Sequence, residues 1–331
     1  MRVARLYAAG DLRVEEAPDP EPREGHTRVQ VGAVGLCGSD LHWFTEGGIG
    51  DARLDKPLIP GHEVGGLALD GPHEGRLVAV DPAIPCWNCD QCYAGNPNLC
   101  RQIRFAGHAG LDGGMAEVIS WPTSRLVPVP GTMTSADIAV LEPLGVAIHA
   151  WDLGDVQLAD RVAVVGAGPI GLLLTQLASS LGCPEVSVVE PVPHRRAAAR
   201  QLGATAVLDP AEVTPELASH DVVFEVNGNP APVAEAIELS RPAGRVCLVG
   251  IPDHDVTAFP AAAARRKGLT IMCVRRMKEV YHRAICLVEA GIVDPGRVVS
   301  DRFALTEAAA AFDHACARRG LKVIVEPHPF G

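Results

Sequence analysis

The sequence predicts an α/β protein in two parts: a turn-rich, mostly β first part, then a doubly wound parallel sheet. Three observations carry this. After Arg161, short apolar strands alternate with helical segments, the pattern of a parallel sheet with helices on both faces. A glycine-rich turn, GAGPIG, joins the first of those strands to the first of those helices. Before Arg161 the chain shows short valine-containing strands broken by many prolines. The length, 331 residues, is long for one core and agrees with about two domains.

The boundaries expected are 1–146 for the β-rich domain, with a cysteine-bearing lobe at about 84–102, and 147–284 for the parallel-sheet domain. Residues 285–331 form a tail whose segment DRFALTEAAAAFDHACARRGLKVIVEP reads as a helix, then a strand, returning to the first domain. In the second domain RVAVVGAGPIGLLLTQLASSLG reads strand, turn, helix. Its apolar run resembles a membrane span, but three glycines and a proline interrupt it. A buried strand leading into a helix fits better. VSVVE, TAVLD, DVVFEV and GRVCLVG follow as short buried strands, with HRRAAARQLG and APVAEAIELS as helices between them. LTIMCV, from Leu269, is a further strand, placed at a sheet edge where a second subunit could pair.

Apolar residues at 47% and charged residues at 21% describe a globular chain. A formal net charge of -11 argues against a nucleic-acid backbone or an anionic membrane as partner. The first residues, MRVARLYAAGDLRVEE, have no apolar core before their charges and do not read as a signal peptide. A cytoplasmic protein is expected.

In the cytosol, clustered cysteines point to metal rather than disulfides. Cys86, Cys89, Cys92 and Cys100 have the spacing C-x2-C-x2-C-x7-C. Four thiolates complete a tetrahedral zinc shell and leave no open position, so this is read as a structural zinc. Neither common ferredoxin spacing matches, and a redox dithiol needs one C-x-x-C. Cys183, Cys247, Cys273, Cys286 and Cys316 lie among apolar neighbours and are expected to be small buried hydrophobes.

Quieter segments supply an open site. GLCGSDLH offers Cys37 with Ser39, Asp40 and His42; PGHEVGG offers His62 and Glu63; LEPLGVAIHA offers Glu142. One Cys, one His and one or two carboxylates suit a catalytic zinc that keeps a position for water or substrate. The glycine turn offers Gly166, Gly168 and Gly171, enclosing Pro169 and Ile170. The first glycine makes the turn, the second admits a pyrophosphate and the third lets helix pack on strand. Glu190 ends the next strand. An acidic group there bonds a ribose 2′-OH and repels a 2′-phosphate, which favours NAD over NADP. His194, Arg195 and Arg196 follow; a basic side chain there either stacks on adenine or pairs with a 2′-phosphate. Arg196 and Arg200 read as a solvated helix face.

Together these segments resemble the zinc-dependent medium-chain dehydrogenase/reductase superfamily over nearly the whole chain. CGSDLHWFTEGGIGD, PGHE, EPLGVAIHA, VVGAGPIG and RFALTEAAAAFD…GLKVIV are closest to its sorbitol (polyol) dehydrogenase branch. The resemblance implies a GroES-like β domain that carries the zinc, a Rossmann domain, and an active-site cleft between them. It implies two zincs per chain, NAD, a small alcohol or ketone substrate and a homotetramer or homodimer. By position, Cys37, His62 and Glu63 are first zinc ligands, and Glu142 is a fourth ligand or holds the zinc-bound water. Asp40 orients His62. Ser39 and His42 take the family's proton-relay positions, Arg195 an adenosine-ribose contact, and Val249 and Ile251 the wall beside the nicotinamide. The reaction implied is hydride transfer between NAD(H) and a secondary alcohol of a polyol, sugar or cyclitol. Aldose 1-dehydrogenase, threonine-type and simple secondary alcohol dehydrogenases of the same superfamily remain alternatives, as does a non-catalytic cofactor-binding relative. Two departures bear on substrate. Trp43 stands where the branch has a tyrosine, and indole donates but cannot accept a hydrogen bond. VRRMKEVYHRAI offers Arg275 or Arg276 for the branch's substrate arginine.

Overall fold

A computed structural model describes residues 1–108, 110–214, 217–253 and 256–328. The chain forms two compact units, Met1–Glu142 with Val299–Gly331, and Pro143–Val298.

The first unit is built on a seven-stranded sheet. Its order is Leu126–Pro128, Leu77–Val80, Glu63–Ala68, His26–Gly35, Lys322–Glu326, Val299–Ala304, with Val118–Pro122 also pairing on His26–Gly35. The His26–Gly35 strand alternates half-buried and buried residues along HTRVQ and is then buried throughout, as a strand does on moving from one covered face to two. Its end fixes the register of the site: Gly35 lies opposite Glu63 on one side and Ile324 on the other. Val29, Val31, Val34, Val64, Val78, Val80, Val323 and Val325 form the core with Leu6, Met115 and Trp121. Phe44 packs on Phe312 with ring centroids 5.0 Å apart. This ties the helix Gly38–Glu46 to the helix Ala308–Cys316.

The second unit is a six-stranded, wholly parallel sheet in the order Ala206–Leu208, Val186–Val189, Val162–Val165, His220–Glu225, Ser240–Leu248, Thr270–Cys273. The chain winds outward from Val162 in one direction, then returns and winds in the other. The order therefore reverses between the Val162 and His220 strands, the crevice where such sheets bind ligands. The helices Pro169–Ser180, Pro193–Gln201 and Pro230–Leu239 each begin with proline. Proline at the first helical position loses an N–H that has no partner there and presets φ. The strand expected at an edge, Thr270–Cys273, does close one edge of the sheet. No described helix is long and apolar enough to cross a membrane.

Cys247 is buried as expected, but Cys273 and Cys286 are exposed. Each lies among apolar neighbours in sequence, yet points outward from an edge strand or a helix.

Candidate metal centres and dinucleotide turn

The sulfurs of Cys86, Cys89, Cys92 and Cys100 all lie within 4.8 Å of one another. Cys86 and Cys100 are 3.4 Å apart, Cys89 and Cys92 3.6 Å, Cys89 and Cys100 3.9 Å. A disulfide needs about 2.05 Å. Tetrahedral thiolates 2.3 Å from a zinc stand about 3.8 Å apart, so the four thiols fit that ion. Backbone N–H groups of Cys86 and Gln102 donate to the Cys100 sulfur at 3.2 and 3.4 Å. Those of Cys92 and Arg101 pull the Cys89 thiol down to about 6, toward the thiolate that a metal binds. Within the lobe Arg101 grips Asp90 at 2.7 and 2.9 Å. At its base Asp81 pairs with Arg125, whose guanidinium lies 5.6 Å from the Trp87 ring centroid.

The second cluster joins Cys37, His62 and Glu63, whose ligand atoms also lie within 4.8 Å of one another. Cys37 precedes the helix Gly38–Glu46, and His62 immediately precedes the strand Glu63–Ala68, which Glu63 begins. Asp40, fully buried, fastens the two segments together. Its Oδ2 accepts the Cys37 N–H at 3.0 Å and its Oδ1 the Gly61 N–H at 3.1 Å. Oδ1 also lies 3.5 Å from His62 Nδ1, which leaves Nε2 as the nitrogen free to bind a metal. Burial alone would lower the His62 imidazole, but the Asp40 charge, with hydrogen bonds to Asp40 and Cys37, overrides it and holds it well above its ordinary value. The cluster is thus built to hold positive charge, and a soft thiolate, an imidazole and a carboxylate are a donor set for zinc. Replacing Asp40 by Asn keeps the shape and removes the charge. Metal affinity at this cluster should fall by about 10–100-fold in a chelator competition, and unchanged affinity would remove the orienting role.

Glu142 lies outside this tight cluster, buried in the helix Ser135–Leu153. Burial pushes its carboxyl up to about 7; the charges of His62 and Lys322 oppose this, and those of Glu63 and Asp81 reinforce it. Lys322 was not singled out from sequence. Its ammonium, 1% exposed, pairs with Glu63 Oε2 and donates to the Leu36 carbonyl at 2.9 Å. Gly35 makes room for the pair: a Cβ there would sit 1.9 Å from Glu63 Oε2 and 2.9 Å from Lys322 Cε. The signal for Lys322 was present in LKVIVE, a lysine set directly before the apolar run Val323–Val325.

Ser39 and His42 are half-buried on the same helix as Asp40. His42 Nδ1 lies 2.8 Å from Glu46 Oε1. Trp43 is buried, its ring edge-on to His108 at 5.2 Å, and it lines a cavity of about 290 Å³ with Arg53, Asp55 and Lys56.

In the second unit the glycine turn follows the Val162–Val165 strand and opens the helix Pro169–Ser180. A Cβ on Gly171 would sit 2.0 Å from the Gly166 carbonyl oxygen, so helix and turn touch. A Cβ on Gly168 would meet nothing within 4 Å, leaving an open cradle at the helix N-terminus for a pyrophosphate. Pro169 and Ile170 form the first turn of that helix. Glu190 holds the turn, its Oε2 accepting the Ala167 N–H at 2.8 Å and its Oε1 the Val192 N–H at 2.9 Å. Arg196 does not lie on a solvated helix face. It donates to the Glu190 and Pro191 carbonyls at 2.6 and 2.8 Å and to Asp209 at 2.8 Å. Arg195 is half-buried and Arg275 exposed. Arg276 has φ +56°, a left-handed backbone uncommon outside glycine. Val249 is half-buried, and Ile251 is 44% exposed just beyond the carboxyl end of the sheet.

A GroES-like β domain and a dinucleotide-type parallel sheet on one chain define a zinc-binding oxidoreductase of the alcohol dehydrogenase class. Residues 23–131 match the model of the alcohol dehydrogenase GroES-like domain, and residues 169–290 that of the zinc-binding dehydrogenase family. Sorbitol dehydrogenase of Macaca fascicularis is 31% identical over 98% of this chain and 95% of its own. That of Bacillus subtilis is 29% identical over 99% and 98%. The crystal structure of L-idonate 5-dehydrogenase from Escherichia coli superposes with a TM-score of 0.92 at 28% identity, covering 98% of this chain and 97% of that one. The chain belongs to the zinc-dependent medium-chain dehydrogenase/reductase superfamily, in its polyol branch.

Proposed function

We propose that the protein oxidises a secondary alcohol of a polyol, sugar or cyclitol, reversibly, with NAD as the hydride acceptor. The observation that carries the reading is the Cys37–His62–Glu63 cluster, a three-donor site held in register by Asp40. Zinc at this cluster would polarise the substrate oxygen, and a nicotinamide would accept the hydride. The chain's own residues handle the proton. The Ser39 hydroxyl accepts it while releasing its own proton toward His42, whose ring passes one on to water. Glu46 at Nδ1 keeps a proton on that nitrogen and leaves Nε2 to accept. Glu142, carried up toward neutrality by burial, either completes the ligand set or holds the water that substrate displaces. By the family resemblance, Arg275 and Trp43 are assigned to substrate and Arg195 to the adenosine ribose. A dimer or tetramer of this chain is the assembly proposed, to be read by sedimentation.

Metal content per chain, measured with rates on a panel of polyols, sugars and sugar acids, tests the reading. Two zincs and NAD-linked turnover are expected. One zinc and no turnover on any member would move the reading to a non-catalytic relative. Glu190 sets the cofactor choice by placing a carboxylate where a 2′-phosphate would come. Glu190→Gln should lower the NAD-over-NADP ratio of kcat/KM by about tenfold, the size expected from removing one partly screened like-charge contact. An unchanged ratio would assign the choice elsewhere.

A further inference from the structure

Glu225 ends the strand His220–Glu225, in the middle of the parallel sheet and beside the glycine turn. It is fully buried, and nothing in the reaction described so far uses it. Its side chain is turned back on its own chain: Oε1 accepts the N–H groups of Asn227 and Gly228, both at 2.7 Å. Its main-chain carbonyl accepts two more N–H groups from the neighbouring strand's end, Val249 at 2.8 Å and Gly250 at 3.1 Å. One residue therefore fixes both loops that leave the carboxyl end of the sheet here.

Those loops are pressed together. A Cβ on Gly250 would lie 2.2 Å from the Asn227 carbonyl carbon, and one on Gly228 2.4 Å from that of Ile251. Asn229 and Asp253 then exchange hydrogen bonds across the pair, Asn229 Nδ2 to Asp253 Oδ2 at 2.8 Å and the Asp253 N–H to Asn229 Oδ1 at 3.1 Å. Val226 continues the contact to the glycine turn: its Cγ2 lies 2.8 Å from where a Gly166 Cβ would stand. The surface that results carries Val249 and the exposed Ile251.

We propose that Glu225 is a positioning residue for the nicotinamide half of the cofactor: by pinning residues 227–228 it sets the wall that Val249 and Ile251 present to the ring. The inference rests on the dinucleotide reading above. Oε2 of Glu225 is buried without a hydrogen-bond partner among the described residues. Burial raises the carboxyl, against the Gly228 and Asn227 N–H groups that lower it. A glutamine keeps the shape of the side chain and an oxygen that can accept both N–H groups. An alanine leaves two N–H groups without an acceptor and frees residues 227–228 to shift.

The test compares two ligands on the intact protein, NADH by fluorescence titration and ADP-ribose by calorimetry, in the wild type, Glu225→Ala and Glu225→Gln. ADP-ribose has the adenosine and pyrophosphate but no nicotinamide. Glu225→Ala should weaken NADH about tenfold or more and leave ADP-ribose within about twofold. Glu225→Gln should recover most of the NADH affinity. Equal weakening of both ligands would mean a general collapse of the turn, and no weakening of NADH would mean the wall stands without Glu225; either overturns the proposal. A wild type that binds neither ligand would instead overturn the dinucleotide reading on which it rests.

Discussion

Cys37→Ser will bind one zinc per chain instead of two and will turn over alcohol at least about 10³-fold more slowly, with near-wild-type thermal stability. The reasoning starts from the donor set. Cys37, His62 and Glu63 are the three donors close enough to share one ion, and a serine hydroxyl is a poor substitute for a thiolate. Zinc's charge at a reacting oxygen is worth several kcal/mol, and each 1.36 kcal/mol is tenfold in rate. Stability should change little, because Cys37 is half-buried and its backbone N–H, which anchors Asp40, is kept. His62→Ala should lose activity similarly but unfold earlier, since it leaves Asp40 buried beside an empty space, with only the N–H groups of Cys37 and Gly61 against its charge. Metal analysis, turnover and a melting curve on one preparation decide it. Normal activity in Cys37→Ser at full metal analysis would sink the proposed chemistry.

What was legible in the sequence was local. The Val162 strand, the glycine turn and the helix opened by Pro169 are contiguous, and each residue type there has one backbone task. The spacing of Cys86, Cys89, Cys92 and Cys100 is equally local, and their sulfurs do meet. What was not legible depends on pairing distant segments. Lys322 reaches Glu63 only because the Lys322–Glu326 and Glu63–Ala68 strands flank His26–Gly35 on opposite sides, a register that no window of sequence contains. Arg196 looked like one of several basic residues on a helix, and only the return of the chain at Asp209 gives it a partner. Glu225 sits in an apolar strand, where an acid reads as a mismatch. Its meaning lies in two N–H groups of a turn whose shape the sequence does not display. Cys273 and Cys286 failed for the converse reason, since apolar neighbours in sequence do not place a side chain on a buried face.

The second large effect is expected at the other cluster and should be of the opposite kind. Cys89→Ser removes one of four thiols whose ion would have no open position for substrate. The cost should therefore appear in stability, with the chemistry at Cys37 left intact in folded molecules. The lobe has little core of its own: Trp87 is 50%, Leu99 46% and Tyr93 76% exposed. Its helix Asp90–Tyr93 is a single turn, too short to hold by itself. Besides the thiols, the Asp90–Arg101 pair, the Tyr93–Asn88 hydrogen bond and the contact of Arg125 with Trp87 help to hold it. The first is exposed and worth at most about 1 kcal/mol. Structural zinc in small metal-folded peptides contributes about 10–16 kcal/mol, so losing even part of that binding leaves the lobe without a sufficient restraint. Cys89→Ser should be cleaved by protease between Cys86 and Cys100 under conditions that spare the wild type, and should lose activity on warming at a much lower temperature. Freshly prepared and kept cold, it should retain one zinc and most of its turnover. Wild-type protease resistance and an unchanged melting curve would show that the lobe stands without metal, and the four thiols would then need another account.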